Sequence, residues 1–113
     1  MKLELSAELK NFTGVVIKDQ DEKVITLGSA ISNILLMADR REQNIDAFKA
    51  YLLAQKFYDV EEVDIDKSDF DFVKRVVKGD KNYSTILLGQ IIELLDLVTE
   101  KEKEEKKKEK ETK

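Results

Sequence analysis

The fold is decided by the segment STILLGQIIELLDLV, residues 84–98. Two apolar rows run along it with the alternating spacing of four and three residues that is typical of a heptad seam. The first row is Leu87, Ile91, Leu94 and Val98, and the second is Leu88, Ile92 and Leu95. Gln90, Glu93 and Asp96 form only a narrow polar stripe. A helix that is apolar around most of its circumference is buried on most sides, so this segment predicts the central helix of a domain.

A second interpretation of this helix involves another copy of the chain. If the rest of the domain covers the first row alone, Leu88, Ile92 and Leu95 remain as an exposed apolar stripe. Such a stripe tends to mark an interface, and a symmetric homodimer is the commonest way to close one. The sequence leaves both interpretations open: both rows lie in the core of a monomer, or a homodimer forms through helix 84–98.

Upstream, two β-branched runs predict a β-hairpin. The runs are residues 15–17 and 24–26, and they flank a polar turn of four or five residues around positions 19–22. Residues 1–9 alternate between apolar and polar side chains, which indicates an edge strand or an extended arm. We identify no internal repeat in the chain.

Three further helices are predicted between the hairpin and residue 84. Thr26 is a suitable N-cap for the first, whose apolar residues recur at helical spacing up to Ala38. The second begins at Asn44, another favoured N-cap. It carries one row of large residues: Phe48, Tyr51, Leu52, Gln55 and Tyr58. Residues 60–66 alternate again, but they are too few to predict more than an extended link.

The third helix covers residues 69–78. Ser68 and Asp71 have the spacing of a capping box at its start, and Gly79 suits the left-handed position just after its end. Residues 1–99 are therefore expected to form a single compact α+β domain, with an N-terminal β-hairpin packed on a bundle of about four helices. Residues 100–113 consist of Glu and Lys except for Thr112, and we expect a frayed helix or a disordered tail.

Composition narrows the chemistry that the chain can perform. It contains no Cys and no His, which removes thiolate chemistry and the commonest general base near neutral pH. The acidic run from Asp64 to Asp71 resembles the start of a calcium loop, but the twelfth position, which needs a bidentate Glu, holds Arg75. We therefore expect no catalytic residue, no cofactor, no metal site and no enzymatic activity.

The length of the apolar segments and the net charge bear on localisation and on nucleic-acid binding. No segment approaches the roughly 20 apolar residues that span a bilayer, so we expect a cytoplasmic protein that does not bind membranes. Residues 1–99 carry 18 acidic and 13 basic side chains, a net charge of −5, which does not favour nucleic-acid binding. The alternative is a small DNA-binding regulator that uses Lys74, Arg75 and Lys78 of helix 69–78.

Several stretches of the chain resemble a known group of proteins. They are DAFKAYLLAQKFY at residues 46–58, VKRVV at 73–77 and YSTILLGQI at 83–91. Together with the hairpin and TLG at 26–28, they resemble small uncharacterised proteins of tailed bacteriophages and prophages over about residues 12–98. The resemblance implies a viral or prophage origin and a bacterial host cytoplasm, but it assigns no site residue. The expected function is that of a protein-interaction module, either a host-factor modulator or an assembly accessory, with an unidentified protein as its partner.

Overall fold

The computed structural model describes the backbone of residues 1–38 and 45–111 and the side chains of residues 1–38 and 45–101. Its elements in chain order are β1 (Lys2–Glu4), α1 (Leu27–Met37), α2 (Ala47–Phe57), β2 (Glu62–Asp64), α3 (Lys67–Lys78) and α4 (Thr85–Glu111). A short antiparallel sheet and four helices within these residues confirm the α+β class. No helix in the described ranges is long and apolar enough to cross a membrane.

The sheet joins two segments that lie about 60 residues apart. β1 and β2 are antiparallel, with Leu3 opposite Val63, and Leu5 extends the pairing by donating its N–H to the carbonyl of Glu61 at 2.7 Å. The alternation predicted for residues 1–9 places Leu3, Leu5 and Leu9 in the core. The interpretation of residues 60–66 as a mere link is wrong, because the N-terminal arm supplies the hydrogen bonds that a three-residue strand requires.

Three short segments form a closed ring between β1 and α1. Ile17 donates its N–H to Leu9 at 2.8 Å, Ile25 donates to Ile17 at 2.8 Å, and Leu9 donates to Ile25 at 2.9 Å. Antiparallel bridges join each segment to the other two, at Lys10 with Val16, Lys18 with Val24, and Glu8 with Thr26. The predicted hairpin is present in residues 17–25, but its strands pair through single bridges because each segment is shared between two partners.

The two turns of this ring have the same construction. Asn11 accepts from the N–H groups of Thr13 and Val15, and eight residues later Asp19 accepts from those of Asp21 and Lys23. Positive φ angles recur at the same place, 85° at Gly14 and 62° at Glu22. We call these the Phe12 turn, residues 11–15, and the Asp19 turn, residues 19–23. The expectation of no internal repeat is therefore wrong: an eight-residue structural repeat passes through Leu9, Ile17 and Ile25.

The start of α1 is fixed to the N-terminal arm. Thr26 is the N-cap, as predicted, and it forms a reciprocal capping box with Ser29. The first free N–H groups of the helix, at Leu27 and Gly28, donate to the carbonyls of Ala7 and Leu5. A Cβ atom at Gly28 would lie 2.9 Å from the Cβ of Leu5, so the contact between arm and helix depends on glycine.

The ends of α2 and α3 differ from the sequence-based expectation. Asp46 caps α2, whereas Asn44 lies outside the described residues. Asp66 caps α3 by accepting from the Asp69 N–H at 2.8 Å, so the helix begins before Ser68 and the predicted capping box does not form. Gly79 is the C-cap with a right-handed φ of −89°, and not the left-handed residue that was expected.

The buried side of α4 lies against α3 and α1. Ile91 and Leu95 are fully buried there, together with Phe70, Val73 and Val76 of α3. The helix continues beyond the apolar segment to Glu111. The prediction of α4 as the central helix is therefore wrong. Among the described side chains of α4 only Ile91 and Leu95 are fully buried, whereas α1 packs against the other three helices and buries seven of its eleven residues.

Candidate protein-interaction surface

The side of α2 that packs on the domain combines two alanines with two larger apolar residues. It consists of Ala50, Leu53, Ala54 and Phe57. The alanines let α1 approach closely, and the buried hydroxyl of Ser32 in α1 donates to the Ala54 carbonyl at 3.1 Å. Phe57 is also fully buried on this side, so α2 is held against the domain without the side chains of Phe48, Tyr51 and Leu52.

A second row of large side chains, on α2 and its C-cap Tyr58, faces solvent. They are the apolar residues Phe48, Tyr51, Leu52 and Tyr58, which are between 42 and 71% exposed, and the polar residue Gln55. We call this set the α2 aromatic face. The spacing of the sequence identified the row but not its direction, because both rows of α2 have helical periodicity. Their exposure is the unexpected feature, since large apolar side chains are normally directed into a core.

The α2 aromatic face is ordered and extends onto α1. The side-chain amide of Gln55 donates to the Tyr51 hydroxyl at 3.0 Å, which links two neighbouring turns of the helix. Leu36 and Met37, at the end of α1, are also exposed. Leu36 and Tyr51 line a shared cavity of about 240 Å³ between the two helices, so the apolar surface is continuous across them.

A second cavity opens between α2 and α3, with a volume of about 370 Å³. We call it the α2–α3 cavity, and it is lined by Lys49, Leu52, Leu53, Gln55, Lys56 and Asp69. The Lys49 ammonium lies 3.5 Å from the Asp69 carboxylate and 4.9 Å from the centre of the Phe72 ring. An ion pair and a cation–π contact therefore hold this lysine at the mouth of an apolar depression.

The stripe predicted on α4 lies partly within the domain. Leu95 is fully buried, and Leu88 and Ile92 are half-buried against the core. In the single chain, the accessible part of this set is therefore the outer surface of Leu88 and Ile92. Leu97, which belongs to neither row, is the exposed large apolar residue of this helix.

Two of the three basic residues predicted to face DNA have partners within the chain. Lys74 forms an ion pair with Asp96 of α4 at 2.5 Å, and the Arg75 guanidinium lies 5.6 Å from the centre of the Phe72 ring. The hydrogen bond from Lys74 holds the pKa of the Asp96 carboxyl below its usual value, and the charges of Lys74 and Lys78 act in the same direction, against partial desolvation. Arg75 and Lys78 remain exposed.

The acidic run beside α3 serves the backbone and its neighbours. Asp64 accepts from the Met1 ammonium at 3.1 Å, Asp66 caps α3, and Asp69 pairs with Lys49. In the part of the chain that the structure describes, no three His, Cys, Asp or Glu side chains are placed to hold a metal ion. Each of these three carboxylates therefore has its own partner within the chain.

The residues brought together at the surface are suited to contact with a protein. Aromatic residues are enriched at protein interfaces and charged residues are depleted from their centres, and the α2 aromatic face has that composition, with Lys49 and Lys56 at its edge. Phe12, at the tip of the Phe12 turn, is a further exposed aromatic residue that the sequence analysis missed. Comparison with protein-family models, with curated proteins and with solved structures finds no match to this chain.

Proposed function

We propose that this chain is a non-enzymatic protein-interaction module whose contact surface is the α2 aromatic face. The observation that carries the proposal is the outward direction of Phe48, Tyr51, Leu52 and Tyr58 on one helix. Contiguous apolar surface of this kind marks binding sites, and aromatic residues supply much of the energy at protein interfaces. Because the opposite side of α2 packs on α1, this surface is already formed in the unbound chain.

The biological setting is proposed from the resemblance to small bacteriophage and prophage proteins. In that setting the module acts in the cytoplasm of a bacterial host, either by modulating a host factor or by assisting assembly of the virus. Its partner is another protein, and the net charge of −4 for the whole chain supports a protein partner over a nucleic acid.

The test is capture of partners from the host by the full-length chain carrying an affinity tag. We expect a specific protein to co-purify with the wild type and to be lost with the double variant Phe48→Ser, Tyr51→Ser. Leu97→Ser is the matched control, because it removes an equally exposed apolar residue from α4. Equal loss with the control, or full retention with the double variant, would contradict the assigned surface.

A DNA-binding regulator is the second candidate, favoured by the exposure of Arg75 and Lys78 on α3. A gel-shift titration with non-specific duplex DNA at low salt tests it. Phosphate contacts make binding strongly salt-dependent. Tight, salt-sensitive binding that is abolished by Arg75→Ala with Lys78→Ala would place this function first, whereas we expect no shift.

We also propose, as an alternative partner, a second copy of the chain that contacts helix 84–98 in a homodimer. The variant Ile92→Glu tests this proposal. In a dimer interface, the carboxylate should give a folded monomer in sedimentation. In a monomer core, an unpaired buried charge costs several kcal/mol and unfolds the domain. A wild type that stays monomeric at high concentration, with an unfolded Ile92→Glu variant, would exclude this dimer.

A further inference from the structure

We propose that a second copy of the chain binds at the α2–α3 cavity by inserting Phe12 from its Phe12 turn. The inference rests on the proposed function, because it names a partner for the α2 aromatic face. It requires a projecting apolar group, a receptor of sufficient size and compatible charge around both. Each of these is present in the chain.

Phe12 projects from a rigid support. It is 98% exposed, and Val15 on the same turn is 59% exposed. The Asn11 side-chain oxygen accepts from the Thr13 N–H at 3.0 Å, the Thr13 hydroxyl at 2.6 Å and the Val15 N–H at 3.1 Å. Because these hydrogen bonds already fix the backbone of the turn, binding through Phe12 would cost little backbone conformational entropy.

The Asp19 turn shows that the aromatic residue is not needed to build the Phe12 turn. It has the same hydrogen bonds from main-chain N–H groups to its first side chain and a positive φ at the same place, but Gln20 stands in the place of Phe12 and Lys23 in the place of Val15. Both turns close the same ring, so their backbones face equal demands. The apolar side chains of the first turn therefore contribute nothing that the fold requires, which favours a role in binding.

The α2–α3 cavity is large enough to receive the ring of Phe12. Its volume is about 370 Å³, whereas a protein cavity of about 150 Å³ holds a benzene molecule. Leu52 and Leu53 give it apolar walls, and Phe48 lies one helical turn from Leu52 on the α2 aromatic face. Burial of an aromatic side chain there would cover surface that is exposed in both copies.

The charges beside the two surfaces are opposite in sign. The Asp19 turn, adjacent to the Phe12 turn in the ring, carries Asp19, Asp21 and Glu22 against Lys23, a net charge of −2. The α2–α3 cavity is lined by Lys49 and Lys56 against Asp69, a net charge of +1. Complementary potentials orient partners and speed their encounter. The same acidic turn disfavours insertion of Phe12 into an anionic lipid surface.

The Phe12 turn and the cavity lie on different elements of one copy, since Gln90 of α4 holds the base of the turn and α2 forms the cavity. The contact therefore joins unlike surfaces. If each of two copies inserts its Phe12 into the α2–α3 cavity of the other, the product is a closed dimer. If each copy binds a different neighbour, the contact continues into a ring or a chain. Either product supports the proposal.

Site-directed disulfide formation provides the test, because the chain contains no cysteine. Copies with Thr13→Cys, which retain Phe12, are mixed with copies carrying Gln55→Cys at the cavity. The control pairs Gln55→Cys with Asp21→Cys, the equivalent position of the Asp19 turn. We expect the disulfide between Thr13→Cys and Gln55→Cys to form at least about tenfold faster than this control, because association raises the effective concentration of the two thiols. Adding Phe12→Gln to the Thr13→Cys copy should remove this advantage.

Sedimentation of the cysteine-free chain supplies the second measurement. We expect the wild type to self-associate with rising concentration, and Phe12→Gln to remain monomeric with an unchanged melting temperature. A monomeric wild type, or equal disulfide rates for Thr13→Cys and Asp21→Cys, would overturn the inference. If the capture experiment in the host still finds a different protein that depends on Phe48 and Tyr51, the proposed function stands and only the self-association is excluded. If no such protein is captured either, both proposals are excluded.

Discussion

The side chain of Gln90 binds both main-chain polar groups of Lys10. Its oxygen accepts from the Lys10 N–H at 2.9 Å and its nitrogen donates to the Lys10 carbonyl, although 80 residues separate the two in the chain. A carboxamide carries its acceptor and its donor on two different atoms, so one side chain can bind both groups of a residue. Gln90 thus fixes the ring of residues 9–25 to α4.

Replacing Gln90 by Leu should loosen this attachment. We expect a loss of about 1 kcal/mol in unfolding free energy, the usual net value for hydrogen bonds, and faster hydrogen exchange at the Lys10 amide. Gln90→Glu is the control, because it keeps the acceptor for the Lys10 N–H and removes the donor to its carbonyl. Unchanged exchange at Lys10 in the Leu variant would mean that the ring is held by other contacts.

Gly89, in the middle of α4, should be replaceable with a gain in stability. A Cβ atom at this position would meet nothing within 4 Å, so no close approach of another part of the described chain requires a glycine here. Gly89→Ala should raise the unfolding free energy by up to about 1 kcal/mol, the difference in helix propensity between the two residues. Urea denaturation measures it.

Gly28→Ala should have the opposite effect. The added methyl group would lie 2.9 Å from the Leu5 Cβ and 3.2 Å from the Phe57 carbonyl oxygen, so either the N-terminal arm at Leu5 or the end of α2 must shift. We expect a loss of about 1–3 kcal/mol, the range for overpacked cores. A variant as stable as the wild type would show that the N-terminal arm can move away from α1 at no cost.

The ion pair between Lys74 and Asp96 should make stability depend on acid pH. The pKa of Asp96 is lowered in the folded chain from 3.8, so the pair stabilises the fold above that pH and loses its effect as pH falls through the lower folded value. Asp96→Asn should therefore be less stable than wild type at pH 7, with a difference that disappears in acid. Urea unfolding at both pH values measures it, and in a Lys74→Met background the difference should largely vanish.

Deleting residues 100–113 should hardly change the melting temperature. The segment contains no apolar side chain that could dock on the domain, and exposed ion pairs contribute at most about 1 kcal/mol. We expect a shift smaller than about 5 °C by differential scanning calorimetry, together with a loss of helical circular dichroism. A larger drop would indicate that the end of α4 packs against the domain or against a partner.

The elements that could be predicted from the sequence are those whose determinants lie close together. The α4 segment carries its own pattern, and Thr26 is the N-cap because the apolar period of α1 begins immediately after it. The hairpin turn at Asp19 was recognisable from its polar residues. In each case the residues that decide the structure lie within about one helix length of one another.

The features that could not be predicted depend on residues far away in the chain, or on which of two rows with the same helical period becomes buried. β2 exists because the arm at Leu3 pairs with Val63, a contact that no local pattern reveals. In α2, both rows are helical in period, and α1 selects the smaller one by approaching at Ala54. The larger row, and with it the candidate interface, is thereby left outside. The repeat had a visible signal, Leu9-Lys10-Asn11 against Ile17-Lys18-Asp19, but it spans too few residues to stand out.

The closed ring of residues 9–25 also bears on aggregation. In an open sheet, the outermost strands present unpaired N–H and C=O groups that can recruit a strand from another molecule. Here each segment bridges both of the others, so the assembly has no first and no last strand. Within residues 1–38 and 45–111, the remaining sheet edges belong to β1 and β2, which are three residues long and too short to serve as an extended template. The β-structure of this domain is therefore protected against uncontrolled strand addition, even though its helices expose a large apolar surface.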